Sequence, residues 1–213
     1  WTFADTNAII AGDLNTLSGT LTLPTGNLNI GGSLTNSTTL TPNGGTVVFN
    51  SVDTGETIDL GSASLYNLTF DSGTGGWTIL TAATTTNNTS LTNAGSWTLS
   101  SGAALSVGNT FTNSVGGAST TWTGSVLSLE AGGYSVNTKT DNGDIYDTLR
   151  IETGADVSMW NSSSTAYNLV AGSSLYSQDH AGNDGDLYVF GSYTRTSDTE
   201  YWSYATDFDG TDL

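Results

Sequence analysis

Short groups in which apolar and polar residues alternate recur about every 8–12 residues, the spacing of an all-β chain. Thr20-Leu21-Thr22-Leu23, Thr46-Val47-Val48-Phe49, Thr57-Ile58-Asp59-Leu60 and Leu65-Tyr66-Asn67-Leu68-Thr69-Phe70 read as strands. So do Val126-Leu127-Ser128-Leu129, Asp147-Thr148-Leu149-Arg150-Ile151 and Leu187-Tyr188-Val189-Phe190. Gly-Gly, Asn-Gly, Ser-Gly and Asp-Gly pairs punctuate them as turns. Pro24 and Pro42 are the only prolines. No stretch carries the 3.6-residue period of an amphipathic helix.

The pattern also repeats. Leu21-Thr22-Leu23 followed by Leu34-Thr35-Asn36-Ser37 matches Trp97-Thr98-Leu99 followed by Phe111-Thr112-Asn113-Ser114. Between these marks, Leu28 and Ile30 match Leu105 and Val107. A third copy is Trp77-Thr78-Ile79 followed by Leu91-Thr92-Asn93-Ala94, and Tyr66-Asn67-Leu68 returns as Tyr167-Asn168-Leu169. Trp77 to Trp97 and Leu91 to Phe111 are equal steps. A unit of about 19–20 residues suits one coil of a β-solenoid with two or three short strands. In such a coil one side chain in two fills a narrow core, and the others face water. Thr suits that outer pleated surface because its branched side chain is favoured in strands. Gly and Asn serve the corners, where φ > 0 is needed. The expected fold is all-β, a right-handed parallel β-helix of about ten coils, on the order of 50 Å long. A β-sandwich or jelly roll with regular hairpins is the alternative.

Residues 1–138 hold seven acids and no base, and are expected to form regular solenoid coils. Residues 139–213 hold thirteen acids, Lys139, Arg150, Arg195 and the only histidine, His180. There the repeat loosens and aromatics gather, so this part is expected to continue the solenoid or cap it with acidic, aromatic-rich loops.

Composition narrows the function. Of the 213 residues, 38 are Thr, 27 Ser, 27 Gly and 18 Asn, yet 36% are hydrophobic and 10% aromatic, which argues against disorder. A net charge of −17 with three basic residues excludes phosphate recognition, so nucleic acid is not expected as a partner. No apolar run approaches the length of a membrane span, and membrane insertion is not expected. The absence of cysteine and the acidic, Lys-poor, Thr/Asn-rich surface suit a bacterial cell exterior. The chain opens at Trp1 without a basic leader region, which reads as a processed product or an excerpt of something longer.

Two sets of units carry a resemblance. Ser64-Leu65-Tyr66-Asn67-Leu68-Thr69-Phe70 with Gly76-Trp77-Thr78, and Asn109-Thr110-Phe111-Thr112-Asn113-Ser114, are similar to repeats of large secreted bacterial surface proteins of the filamentous-haemagglutinin-like and autotransporter-passenger type. Gly185-Asp186-Leu187-Tyr188-Val189-Phe190-Gly191 through Tyr201-Trp202-Ser203-Tyr204-Ala205 resembles segments of the same proteins. The resemblance implies a parallel β-helix at the cell exterior, used for adhesion or as a fibre.

Catalytic spacing is weak. A polysaccharide lyase needs cations to neutralise a uronate, and the chain up to Thr138 offers none. Asp53, Glu56 and Asp59, and likewise Asp141, Asp144 and Asp147, have the charge of a glycosidase pair, but Asp at turns bonds its own backbone. His180 sits in a Gly/Asn/Asp loop with no triad spacing. No enzyme activity and no cofactor are expected, with calcium as the one ion to consider. Its candidate ligands are Asp207, Asp209 and Asp212 around Gly210, and Asp184 and Asp186 around Gly185, because hard oxygen donors select calcium. Trp77, Trp97 and Trp122 are expected in the core, where they take the place of Leu21 in the repeat; turned outward they would form a glycan platform. Regular Thr arrays of an ice-binding kind are suggested by the composition, but their spacing is irregular.

A solenoid leaves its two ends open. Trp1 and Phe3 at one end, and Tyr201, Trp202 and Tyr204 at the other, are the candidate self-association residues. The expected function is that of a non-enzymatic extracellular structural protein, a cell-surface or fibre-forming subunit joined head to tail into a homo-oligomer or filament. The alternative is an adhesin module that binds glycans through exposed aromatics.

Overall fold

The computed structural model describes residues 1–130, 134–138, 144–152, 155, 157–159, 164–171, 175–177, 187–189 and 193–195. The described chain is all-β, with every named strand pairing parallel to its neighbours. It winds as a β-solenoid with three faces.

Face 1 is built from Ala8–Ile10, Asn27–Ile30, Thr46–Phe49, the first part of Asn67–Ile79, the first part of Thr89–Leu99, Phe111–Asn113 and Tyr134–Thr138. Face 2 stacks Leu14–Thr16, Leu34–Asn36, Glu56–Asp59, the later parts of the same two long strands, and Thr120–Thr121. Face 3 opens with the pair Thr20–Thr22 and Thr39–Thr41. A separate sheet of this face, not strand-paired to that pair, runs through Ser64–Leu65, Ala83–Thr85, Ala104–Val107, Val126–Leu129, Asp144–Ile151 and Ser164–Ala171. The chain from Ala8 to Leu129 thus completes six turns, and the strands beyond extend the same rows where they are described. The expectation of about ten uniform coils was too regular. The step from Leu28 to its stacked partner Val47 is shorter than the step from Phe111 to Val136, because corners of different length join strands of constant pitch.

The corners explain the glycines. Between faces 2 and 3, Gly19, Gly61, Gly102 and Gly124 all have positive φ, between 58° and 86°. Ser100 to Ala103 and Trp122 to Ser125 close there through i to i+3 backbone hydrogen bonds of 2.9 and 3.0 Å. Each has Gly third, where a type II turn demands φ > 0. Turn 2 lacks a glycine at this corner, and the Asn36 side chain holds it instead. Between faces 1 and 2, Asn67–Ile79 and Thr89–Leu99 pass the corner without a break, with irregular register around Asp71 to Gly76. Gly75 makes that passage fit, since a Cβ there would collide with the Ser51 carbonyl oxygen and the Trp77 ring. These two strands fuse faces 1 and 2 into one thirteen-stranded sheet.

The core is a set of columns. Ile30, Phe49, Phe70 and Leu91 stack inside face 1, and Leu34, Ile58, Ile79 and Leu99 inside face 2, all buried. Ala83, Leu105, Leu127, Leu149 and Leu169 do the same inside face 3. Aromatic rings run through several turns: Phe49 to Phe70 at 5.4 Å, Phe70 to Trp97 at 5.9 Å, Trp97 to Trp122 at 4.7 Å and Trp122 to Tyr146 at 4.8 Å. The indole N–H groups of Trp77, Trp97 and Trp122 are buried without a hydrogen-bond partner in the protein. Each orphan donor costs about 1–3 kcal/mol. Burying a ring of roughly 150–250 Å² returns about 4–6 kcal/mol, so packing wins.

Three readings of the repeat, and one strand, are corrected. Trp77 does oppose Trp97. Leu21-Thr22-Leu23, however, belongs to face 3 and Trp97-Thr98-Leu99 to face 2, so the first copy matched different faces. Leu91 opposes Asn113 rather than Phe111, and Asn67 and Asn168 also lie on different faces. The run from Leu65 to Phe70 is not one strand: the chain turns from face 3 to face 1 at Tyr66, which is partly exposed there. The β-sandwich alternative is excluded by the uniformly parallel pairing.

Replacing Trp97 with Ala should lower the unfolding free energy by about 3–5 kcal/mol, whereas Thr98→Ala on the outer face should stay within about 0.5 kcal/mol. Urea unfolding followed by far-UV circular dichroism reads both, and Trp97→Phe should cost less than Trp97→Ala because it removes the orphan N–H while keeping a ring in the core.

Candidate functional site

Polar side chains follow the same stacking rule as the core, and this produces ladders along the solenoid. Asn87 Nδ2 donates to Asn67 Oδ1 at 2.8 Å, and Asn109 Nδ2 donates to Asn87 Oδ1 at 3.1 Å. The backbone joins in: the Asn88 amide donates to Asn67 Oδ1 at 3.1 Å, and the Thr110 amide to Asn88 Oδ1 at 3.0 Å. One turn's side chain thereby satisfies the next turn's corner amide, a direct use of Asn as both donor and acceptor. The same device opens the chain, where Asn7 Oδ1 accepts from the Asn27 amide at 2.7 Å and Asp13 Oδ1 from the Ser33 amide at 2.8 Å.

Asn36 is the most fully used polar side chain. It is buried, and its Oδ1 accepts from Thr16 Oγ1 at 2.6 Å, the Thr38 amide at 3.1 Å and Thr38 Oγ1 at 3.0 Å. Its Nδ2 donates to the carbonyls of Leu60 at 2.9 Å and Thr38 at 3.1 Å. Three successive turns meet on this one side chain, at the corner of turn 2. Sequence reasoning singled out neither Asn36 nor the ladder as functional elements. The signal for the ladder was Asn recurring about one coil apart, at Asn67, Asn87 and Asn109.

The acids first considered as a glycosidase pair serve the same structural purpose. Glu56 Oε2 accepts from Ser33 Oγ at 2.6 Å and Oε1 from buried Ser51 Oγ at 3.3 Å, while Ser33 Oγ accepts from the Thr57 amide at 2.9 Å. Asp59 Oδ1 accepts from the Gly61 amide and from Thr81 Oγ1, both at 2.9 Å. Asp53 lies in an exposed bend. Asp147 Oδ2 accepts from the Gly124 amide at 2.9 Å, one turn away. Asp144 begins the strand Asp144–Ile151, and Asp141 and His180 lie outside the described residues. Glu56, Asp59 and Asp147 are thus spoken for by amides and hydroxyls of their own and adjoining turns. These bonds are turn and ladder chemistry.

The calcium candidates Asp184, Asp186, Asp207, Asp209 and Asp212 lie outside the described residues, as do Tyr201, Trp202 and Tyr204. Among the described residues no group of three acidic or histidine side chains gathers as a metal site. No helix among the described residues is long and apolar enough to cross a membrane.

The remaining candidates lie in the first turn. Trp1 is 93% exposed, with its ammonium donating to the Thr20 carbonyl at 2.6 Å and its carbonyl accepting from the Thr22 amide at 2.8 Å. Phe3 packs partly against the core, and its amide donates to the Thr22 carbonyl at 3.3 Å. Trp77, Trp97 and Trp122 are buried, as expected of core rings, so they form no outward platform. Among the threonines, Thr57, Thr78, Thr98 and Thr121 form an in-register column on face 2, and Thr20 with Thr39 and Thr22 with Thr41 pair in register on face 3.

No protein-family model, curated protein or solved structure matches this chain.

Asn36→Ala should destabilise by about 1–3 kcal/mol, more than Asn87→Ala, because it removes a buried side chain whose hydrogen bonds join three turns, whereas Asn87 is only half-buried. Denaturant midpoints of the two variants check this order. Melting curves in chelator, in millimolar calcium and in sodium chloride of matched ionic strength test the calcium expectation. A rise specific to calcium, lost in Asp207→Asn with Asp209→Asn, places an ion at the acidic loop; equal melting in both salts rejects the site.

Proposed function

We propose that this chain is a non-enzymatic structural protein of the cell exterior, a stiff β-solenoid shaft whose copies join head to tail. The observation that carries this reading is the stack of parallel turns around a packed core, with aromatic rings in contact from Phe49 to Tyr146. Among the described turns each is bonded to the next by backbone on faces 1 and 2, and on face 3 except between Thr39–Thr41 and Ser64–Leu65, with side-chain ladders added at several corners, so bending the axis breaks many bonds together. Such a body transmits length and stiffness. The carboxylates of residues 1–130 supply no convergent catalytic geometry in support of an enzyme, and their hydrogen bonds support the turn-forming role instead.

The setting is argued from chemistry. A cysteine-free chain of net charge −17 with three basic residues stays soluble and repels anionic surfaces. The outer faces bear Thr, Ser and Asn in ladders that need no reducing compartment and no cofactor. The resemblance of the repeat units to secreted bacterial surface proteins points the same way. The glycan-binding alternative is weakened, because its intended platform of Trp77, Trp97 and Trp122 lines the core; Trp1 and Tyr66 are the exposed aromatics among the described residues.

Small-angle scattering on the monomer fraction, with a screen of uronate polymers and neutral glycans for products and for binding, tests the proposal. An elongated particle with no turnover and no saturable binding is the expected result. Turnover lost in Asp147→Asn would replace the structural reading with a catalytic one. A saturable change in tryptophan fluorescence on adding one glycan would replace it with the adhesin reading.

A further inference from the structure

The ladder between successive turns is interrupted at one place inside the stack. On face 3, Thr39–Thr41 of turn 2 pairs with Thr20–Thr22, and Ser64–Leu65 of turn 3 with Ala83–Thr85, but no strand pairing among the described residues joins turn 2 to turn 3 on this face. The other junctions from turn 1 to turn 6 are laddered on all three faces.

The interruption is written into turn 2. The Thr39 amide donates to the Gly19 carbonyl at 3.3 Å, and the Thr41 carbonyl accepts from the Leu23 amide at 3.0 Å, so both residues bond toward turn 1. Alternation along the strand and its flanks turns the backbone groups of Thr38, Leu40 and Pro42 toward turn 3. Asn36 engages the first of these within its own turn: its Oδ1 accepts from the Thr38 amide and its Nδ2 donates to the Thr38 carbonyl, both at 3.1 Å. Pro42 has no amide hydrogen to donate. Leu40 is left as the one residue of the three that offers turn 3 both a donor and an acceptor. Opposite it, the Leu65 carbonyl accepts from the Thr86 amide at 2.9 Å, so Leu65 bonds toward turn 4 and Ser64 is the residue turned to turn 2.

Side chains close the seam instead. Leu40 and Leu65 are both buried, so the gap holds no further strand. Two hydrogen bonds mark its ends: Asn36 Nδ2 to the Leu60 carbonyl at 2.9 Å, and the Asn67 amide to the Gly45 carbonyl at 3.3 Å. The rest of this junction is stitched. Asn27–Ile30 pairs with Thr46–Phe49, and Leu34 and Thr35 pair with Ile58 and Asp59. At the corner between these rows the Asn50 amide donates to the Ile30 carbonyl at 3.0 Å. There too, Ser33 Oγ donates to Glu56 Oε2 at 2.6 Å and accepts from the Thr57 amide at 2.9 Å. Motion between turns 2 and 3 therefore has one direction: they part on face 3 and pivot on faces 1 and 2.

We infer that this seam is a hinge in the shaft, at which turns 1 and 2 swing away from turn 3 on face 3, with the Asn36–Leu60 bond as its latch. Packed side chains without a ladder open at a lower free energy than a laddered strand, because fewer bonds break together. The inference rests on the shaft reading and gives the shaft one place and one direction of flexure.

Two measurements on the full chain test it. The first is amide hydrogen exchange of the unaltered protein, read by NMR. The Asn67 amide, bonded across the end of the seam, should exchange roughly tenfold or more faster than the Asn109 amide, which is bonded at the same corner two turns further on. The Thr39 and Thr41 amides, bonded toward turn 1, should stay protected. The second uses the absence of cysteine from the chain. Leu65→Cys and Leu105→Cys place single thiols at two fully buried positions of face 3, one at the seam and one inside the laddered row. In variants of matched melting temperature, an aromatic disulfide reagent should react roughly tenfold or more faster with the thiol at the seam. The exchange measurement needs no variant and decides the matter if a thiol variant fails to fold. An Asn67 amide as slow as that of Asn109, or equal thiol reaction rates, overturns the hinge. If the particle is nonetheless elongated in solution scattering, the hinge fails while the shaft reading stands.

Discussion

Everything in this molecule depends on one constraint, the parallel backbone ladder between successive turns, which sets each turn about 4.8 Å above the last. At that spacing a side chain has little choice of neighbour: it lies on the residue at the same place one turn earlier. Phe49 therefore stacks on Phe70 with its ring plane tilted by only 15°, and Asn67, Asn87 and Asn109 form a chain of amides. The constraint also accounts for the composition. A column favours side chains that tolerate their own kind at this distance, which Thr, Asn, Leu and flat aromatic rings do and like charges do not. Glu56, Asp59 and Asp147 sit accordingly at strand ends and corners, where amides and hydroxyls receive them.

The fold class was legible because alternation with period two and frequent turn pairs leave few other architectures. The coil length was nearly legible, as Trp77 above Trp97 demonstrates. The register was not. All three faces are written in the same alphabet of apolar residue, Thr, apolar residue, so Leu21-Thr22-Leu23 resembles Trp97-Thr98-Leu99 although they belong to different faces. Corners of unequal length hide the true stacking further: the chain takes a longer path from Leu34 to Ile58 than from Leu28 to Val47, yet each is a single turn. The break at Tyr66 was invisible because no glycine or proline marks it.

For the candidate site, residue type misled where burial decided. Asp and Glu at spacings of three looked like chemistry, and the structure assigns Glu56 and Asp59 to hold adjacent turns. Asn36 looked like one more surface amide, yet it joins three turns. A buried amide that uses both its donor and its acceptor costs little, while an unpaired one is expensive, so its value depends on partners from distant parts of the chain. The three central tryptophans were expected in the core through a match to Leu21 that crosses faces; in the true register Trp77 lies between Glu56 and Trp97, and Trp97 beside Thr120.

The two strands that pass a corner unbroken, Asn67–Ile79 and Thr89–Leu99, have a mechanical consequence. Elsewhere each turn is divided at its corners into short strands of two to four residues up to Leu129, which a pulling force can peel away a few hydrogen bonds at a time. Here thirteen residues lie against eleven in one seam that crosses a corner, in register from Leu68 to Phe70 and again from Gly76 to Ile79, with Trp77 over Trp97 near its end. Load applied along the chain is resisted at this seam after the thinner turns on either side have yielded, which makes turns 4 and 5 the rivet of the shaft.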